Sequence, residues 1–336
     1  MIASYERDGR FPTAPNGAVV SVGVFDGVHL GHQEILRRNV ETARALGARS
    51  TVVTFRQHPK SVLLGRAPRT LTSLEHRLEL FRRAGIEHAV ALTFDEALRA
   101  IPAADFAREF LAGSLHARRL VLGFDSKFGR GREGTPEFLA ALGLSVDVVG
   151  QVVLGGRPVS STAIREAVEL GDLEAAAAML GRPVAVHGEV VAGDKLGRRI
   201  GFPTANLDLH HELHPPTGVY AVRVRVVRYG QEARIGPELS GVANIGFRPT
   251  IEGARPETPR IEVHLLDFDG DLYGEHVELE FVAWLRPEQR FDGLPALQAQ
   301  IARDVLAARA TLERGRGGAG GRHPRDPMKD ARGGRP

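Results

Sequence analysis

His29 and His32 stand three residues apart in VGVFDGVHLGHQEIL (22–36), with Gly31 between them. A buried-looking apolar run enters a glycine-punctuated turn there, and a helix is expected to start at about His32. Backbone N–H groups and the positive end of a helix dipole converge at such a junction and favour an anion. Two imidazoles at its rim would donate to phosphate oxygens and stabilise charge on a transferring or leaving group. Gly23 and Phe25 belong to the same junction, and Gly31 leaves room for a phosphate beside the backbone. Two surface histidines in a turn would read alike. A metal centre is less well matched, because His-x-x-His supplies only two ligands.

A second constellation opens SSTAIREAVELG (160–171), where Ser161 and Thr162 precede Arg165 by about one turn. Hydroxyls, helix N–H groups and a guanidinium together make a phosphate clamp, although a capped helix with a surface arginine carries the same residues. A third lies in GDKLGRRIGFPTANL (193–207), where Gly193, Gly197 and Gly201 recur every four residues and can present backbone donors to phosphates. Thr204 and Asn206 offer neutral hard oxygens suited to Mg²⁺, with substrate phosphates supplying the negative charge. Glu262, in RIEVHLL (260–266), is placed to accept a proton from an attacking hydroxyl, or else is a solvated strand residue beside His264. GRGREG (129–134) imitates a dinucleotide fingerprint but does not follow a strand directly, and no Walker A sequence occurs.

The elements that must carry these residues change character along the chain. Apolar runs at 18–25, 50–55, 88–94, 118–124 and 144–150 alternate with helical periods such as Ile35, Leu36, Val40, Ala43 and Leu46 before Gly47. Thr72 and Glu75 look like a capping box for another helix. This is the grammar of a parallel α/β sheet covered on both faces. Beyond Pro183 the period becomes two. Val222, Val224 and Val226 alternate with arginines, Ile261, Val263 and Leu265 with Glu262 and His264, and Val277, Leu279 and Phe281 with glutamates. An antiparallel sheet closed into a small barrel is expected, followed by a helix with Leu294, Leu297, Ile301, Ala308 and Leu312 on one stripe. The boundaries expected are 1–182, 183–314 and a disordered basic tail, 315–336.

Composition narrows the class. At 336 residues, 43% hydrophobic and 25% charged, the chain has material for two cores. The absence of cysteine excludes disulfides, thiolate metal sites and a cysteine nucleophile. No segment is apolar for long enough to span a bilayer and no signal peptide is visible, so a cytoplasmic protein without a membrane partner is expected. Residues 315–336 hold six Lys or Arg against two Asp, so the net +3 resides in the tail and the rest is near neutral. With no aromatics among those arginines, specific nucleic-acid binding is not expected.

VGVFDGVHLGHQEIL and VSSTAIREAVELGDL resemble the adenylyltransferase signatures of the bacterial bifunctional riboflavin kinase/FMN adenylyltransferase (FAD synthetase) family. GRRIGFPTANL, GVANIGFRPT (241–250), IEVHLLDFDGDLYG (261–274) and LRPEQRFDGLPALQAQIARDV (285–305) resemble its kinase signatures. The similarity spans about residues 18–312. It implies a nucleotidyltransferase domain followed by a riboflavin kinase barrel, using ATP twice with Mg²⁺ to make FMN from riboflavin and FAD from FMN. His29, His32, Ser161, Thr162 and Arg165 would serve the ATP phosphates of adenylyl transfer. Thr204 and Asn206 would hold the metal, and Glu262 would be the base for the ribityl hydroxyl. His58, Asp125 and Phe128 would line the flavin site of the first module. Two family positions differ there: Gln57 replaces a proline in TFRQHP (54–59), and Ser126 replaces an aromatic residue in GFDSKFG (123–129). Alternatives are a riboflavin kinase whose first module is inactive or altered in substrate, and a flavin-binding regulator without turnover.

Overall fold

Apolar runs too short for helices form the strands β1 (Ile2–Ser4), β2 (Ala18–Val22), β3 (Arg49–Phe55), β4 (His88–Leu92), β5 (Ala117–Gly123) and β6 (Val146–Val149). In the computed structural model they lie in the order β1-β4-β3-β2-β5-β6, every pair parallel. Residues 1–4, 11, 14–65, 68–193, 197, 200–209, 212–228, 234–247 and 259–318 are described. β2 and β4 are buried at every position, as a sheet covered on both faces requires. Val20, Val22, Leu120 and Leu122 pack with Phe106, Phe110 and Leu111, while the alternate residues Val19 and Val121 pack with Ala43. β1 is an edge strand beside β4 that the apolar pattern did not announce.

The connections carry α1 (Leu30–Leu46), α2 (Lys60–Leu64), α3 (Leu74–Arg83), α4 (Glu96–Ala100), α5 (Ala103–Asp105), α6 (Pro136–Ala141), α7 (Ser161–Glu169) and α8 (Leu173–Leu180). Gly47 ends α1 in the left-handed conformation, as its position predicts. Two helix starts differ from expectation. Helix α1 begins at Leu30 rather than about His32, because the His29 side chain accepts from the His32 N–H and caps it. Ser73, not Thr72, caps α3, and the Thr72 hydroxyl instead accepts from the Gly27 N–H at 3.0 Å.

A hairpin of β7 (Val153–Leu154) and β8 (Arg157–Pro158) precedes α7. Then β9 (Ala185–Val191), β10 (Ala205–Asp208), β11 (Gly218–Arg228), β12 (Arg234–Gly246), β13 (Arg260–Leu265) and β14 (His276–Arg286) close a barrel in the order β10-β13-β12-β11-β14-β9. Its filling follows period two: Val222, Val224, Ile261, Val263, Val277, Leu279 and Phe281 are all buried. One position departs. A bulge between Arg225 and Val227 shifts the register, so Val227 and not Val226 reaches the core. The C-terminal helix, Leu294–Gly318, buries Ala308 and Leu312 of the expected stripe but leaves Leu294 exposed. Its backbone continues helical into the first residues of the segment expected to be disordered, and 319–336 lie outside the described residues.

The chain divides into two units, Met1–Glu189 with Leu209–Pro216, and Val190–Asp208 with Thr217–Pro336. The short return of Leu209–Pro216 is anchored by Glu212, which is buried and accepts from the Ser73 and His187 N–H groups. Sequence periodicity carries no trace of it.

Candidate functional site

The strand order of the first unit creates its cleft. From β2 the chain moves to β3 on one side and later returns to β5 on the other, so the carboxyl ends of β2 and β5 flank a topological switch point. A cleft of about 340 Å³ opens there. His29, Gly31, His32 and Phe25 reach it from the end of β2 and the start of α1, Asp125 from the end of β5, Ser161, Thr162 and Arg165 from α7, and His58 from the loop after β3. Segments 130 residues apart in sequence thus meet in one depression.

The turn delivering the histidines is strained. Phe25 and Val28 have φ of 54° and 40°, a region that side-chain-bearing residues avoid, and Gly27 has φ 80°. Donors from outside pin its carbonyls: Arg77 and Thr54 bond the Val24 oxygen, and Ser161 bonds the Asp26 oxygen. His29 Nδ1 accepts from the His32 N–H, which leaves the ring proton on Nε2. The two rings stack at 3.6 Å, and a side chain on Gly31 would crowd the His29 ring. Burial lowers the His29 pKa to about 4, overcoming the opposite pull of Asp26 and Asp125, and burial takes His32 well below its usual value. Both imidazoles are therefore neutral donors near pH 7.

Asp26 is the residue that sequence reasoning missed most. It is buried, accepts from the Leu71 and Thr72 N–H groups, and pairs with Arg165 at 2.5 Å. Arg165 also bonds the Arg69 oxygen, so its guanidinium is held by protein on two sides while still lining the cleft. Lys60 and the exposed Phe124 line the cleft too and were not singled out. Their only sequence signal is place: Lys60 directly follows TFRQHP, and Phe124 lies within GFDSKFG. Two expected residues lie elsewhere. The partly buried Phe128 ring packs on Phe106 with centroids 5.4 Å apart, against the core cluster of the first unit. Gly23 sits behind the cleft, where a Cβ would press on the Phe25 ring.

In the barrel, Asn206 on β10 faces Glu262 on β13, and Glu262 faces Asn244 on β12. Directly opposed residues share a face, so the three form one polar row across three strands. Val219, in register with Asn244, packs with Ala308 and Leu312 of the C-terminal helix, which puts the row on the outer wall beside that helix. His264 is on the same face as Glu262 and donates to the Pro203 oxygen at 2.9 Å. Gly193 and Gly197 lie so close to Asn206 and Thr204 that a Cβ on Gly193 would collide with the Asn206 amide, and one on Gly197 with the Phe202 oxygen. Gly201 adopts φ 83°, and Gln298 of the C-terminal helix bonds the Ile200 oxygen next to it. Thr204 opens onto a smaller pocket of about 70 Å³ walled by Val263, Leu265 and Tyr273.

Among the described residues, no helix is long and apolar enough to cross a membrane. A family model for FAD synthetase matches residues 11–163, and one for riboflavin kinase matches 180–312. A solved structure described as a macrolide-efflux protein from Streptococcus pneumoniae superposes with TM-score 0.77 and 31% identity, covering 92% of this chain and 99% of that one. The bifunctional riboflavin kinase/FMN adenylyltransferase of Escherichia coli K12 is 40% identical over 298 residues, 87% of this chain and 92% of its own. That of Pseudomonas fluorescens is 41% identical over 304 residues, 88% and 93% respectively. Two domain models matched in succession, with full-length relatives of that name, mean that the chain belongs to the bifunctional riboflavin kinase/FMN adenylyltransferase family.

Proposed function

We propose that the switch-point cleft binds ATP and FMN for adenylyl transfer, and that the outer wall of the barrel binds MgATP and riboflavin for phosphoryl transfer. The observation carrying the first assignment is the convergence of His29, His32, Ser161, Thr162 and Arg165 on one cleft. There an FMN phosphate oxygen attacks the α-phosphorus of ATP and pyrophosphate leaves. His29, with its proton on Nε2, donates to the oxygens on which charge accumulates, and Arg165 supplies a fixed cation held by Asp26. His58 and Asp125 border the flavin, with Phe124 as an aromatic wall near the position where Ser126 lacks one.

In the barrel Glu262 takes the proton of the ribityl 5′-hydroxyl as its oxygen attacks the γ-phosphorus of ATP, and ADP leaves. Thr204 and Asn206 suit a hard divalent cation: both oxygens are neutral, and Gly193 and Gly197 replace side chains that would press on them. Magnesium bound there would offset phosphate charge during transfer. Dependence on ATP for both steps fits a cytoplasmic enzyme. Riboflavin incubated with MgATP and followed by chromatography tests the reading: FMN should appear first and FAD after it. FMN alone would remove the adenylyltransferase assignment, and no conversion would remove both.

A further inference from the structure

We propose that Arg182 is a positioning residue of the adenylyl-transfer site, holding from behind the strained turn that presents His29 and adding a fixed positive charge beside that imidazole. The inference rests on the assignment of His29 to phosphate stabilisation. Arg182 does not line the cleft. It lies in the first unit just after α8, in a Gly-Arg-Pro stretch that the sequence marks only as a boundary.

Its guanidinium reaches back to the turn. Nη2 donates to the Gly27 oxygen at 2.8 Å, and Nη1 donates to the Val28 oxygen at 3.2 Å and to the Leu180 oxygen at 3.4 Å. Gln33 reinforces the same link by donating to the Val28 and Leu180 oxygens at 2.8 and 2.7 Å. Gly27 and Val28 are two of the three turn residues with positive φ, and Val28 immediately precedes His29. A β-branched residue keeps such a conformation only when its surroundings impose it. A fork with two planar donor edges can hold two successive carbonyls, which a single point charge does less well.

The charge matters as well as the fork. His29 is faced by Asp26 and Asp125, which favour its protonation, and by Arg182, which opposes it; His32, stacked on it, is neutral. Protonation at Nδ1 would abolish the acceptor that caps α1. Arg182 thus helps preserve the neutral imidazole, whose Nδ1 caps α1 and whose proton is on Nε2.

The test uses the full-length chain with R182Q, R182K, H29A and the double variant H29A/R182Q. If Arg182 acts through His29, R182Q should lower kcat/KM for FMN adenylation about tenfold, the effect of losing charge-assisted hydrogen bonds, while riboflavin phosphorylation stays within about twofold. R182K, which retains the charge but not the fork, should recover only part of the loss. In the H29A background R182Q should cost little more, because the residue it positions is gone. By NMR, the His29 imidazole should titrate at higher pH in R182Q than in the unmodified chain or R182K. Equal, multiplicative losses from R182Q in both backgrounds would overturn the proposal, as would an unaltered adenylation rate or parallel loss of both activities in R182Q and R182K. If H29A itself left adenylation intact, the assignment of His29 would fall instead, a separate result.

Discussion

Glu262 is the residue at which chemistry and surface polarity diverge most. Its placement between Asn206 and Asn244 puts it in a polar row rather than alone on a strand. Glu262→Gln keeps its size and hydrogen bonding but removes its ability to take a proton. Riboflavin phosphorylation should fall by roughly 10²–10⁴, toward the lower end because a loose phosphoryl-transfer transition state needs little early proton removal. Adenylation of supplied FMN should be unchanged, and steady-state rates for the two half-reactions measure both. Near-normal kinase turnover would return this glutamate to the solvated wall. The row itself was partly legible: Glu262 and His264 share a strand face by period two. Asn244 joined them only through cross-strand register, which no single-strand pattern contains.

At the scale of elements, the site proposed for phosphoryl transfer depends on a loop passing close over the start of β10. Gly193 lies against Asn206 with no room for a methyl group. Gly193→Ala should displace either the loop or the Asn206 amide, at a cost of about 1–3 kcal/mol for overpacking. The KM for MgATP in riboflavin phosphorylation should rise, with adenylation of FMN as the internal control. An unaltered KM would mean that the loop accommodates the methyl group away from Asn206. The glycine spacing announced a phosphate-type loop, but the reason for Gly193 is steric and comes from a residue thirteen positions later. In the first unit the same distinction holds: Gly31 is explained by the His29 ring beside it.

Across the whole molecule, buried histidines make stability depend on acid. Burial lowers His29 and His88 to about 4 from 6.5, and His32 also falls. Because their folded values lie below the unfolded ones, the unfolded chain binds more protons between pH 6.5 and 4, and folding weakens as pH falls through that window. His29 and His88 each contribute up to about 3 kcal/mol of this loss. The urea midpoint of the first unit should therefore be constant above pH 7.5 and drop steeply below pH 6; a flat profile down to pH 5 would contradict it. Leu209–Pro216 bears on modularity. Glu212 and Leu213 are buried in the first unit, so a 183–314 fragment exposes them. Such a fragment should still phosphorylate riboflavin, since the Asn206–Glu262 row and the C-terminal helix are retained, but its urea midpoint should lie below that of the kinase activity in the full chain. A fragment equally stable would show that this return segment contributes nothing to the barrel.

What the sequence by itself determined was the character of the main elements: most buried parallel strands read as continuous apolar runs, and three barrel strands as alternation, because burial on two faces or one dictates those periods. It also marked the histidine turn, the α7 start and the Pro-Thr-Ala-Asn segment, where glycine, hydroxyl and imidazole cluster locally. Tertiary structure alone decided the strand order that opens the cleft between β2 and β5, the pairing of Asp26 with Arg165, and the reach of Arg182 to the turn. It also set Phe128 against the core and moved Val227 into the barrel. These outcomes rest on contacts between residues far apart in the chain or on a single bulge, and local periodicity carries information about neither.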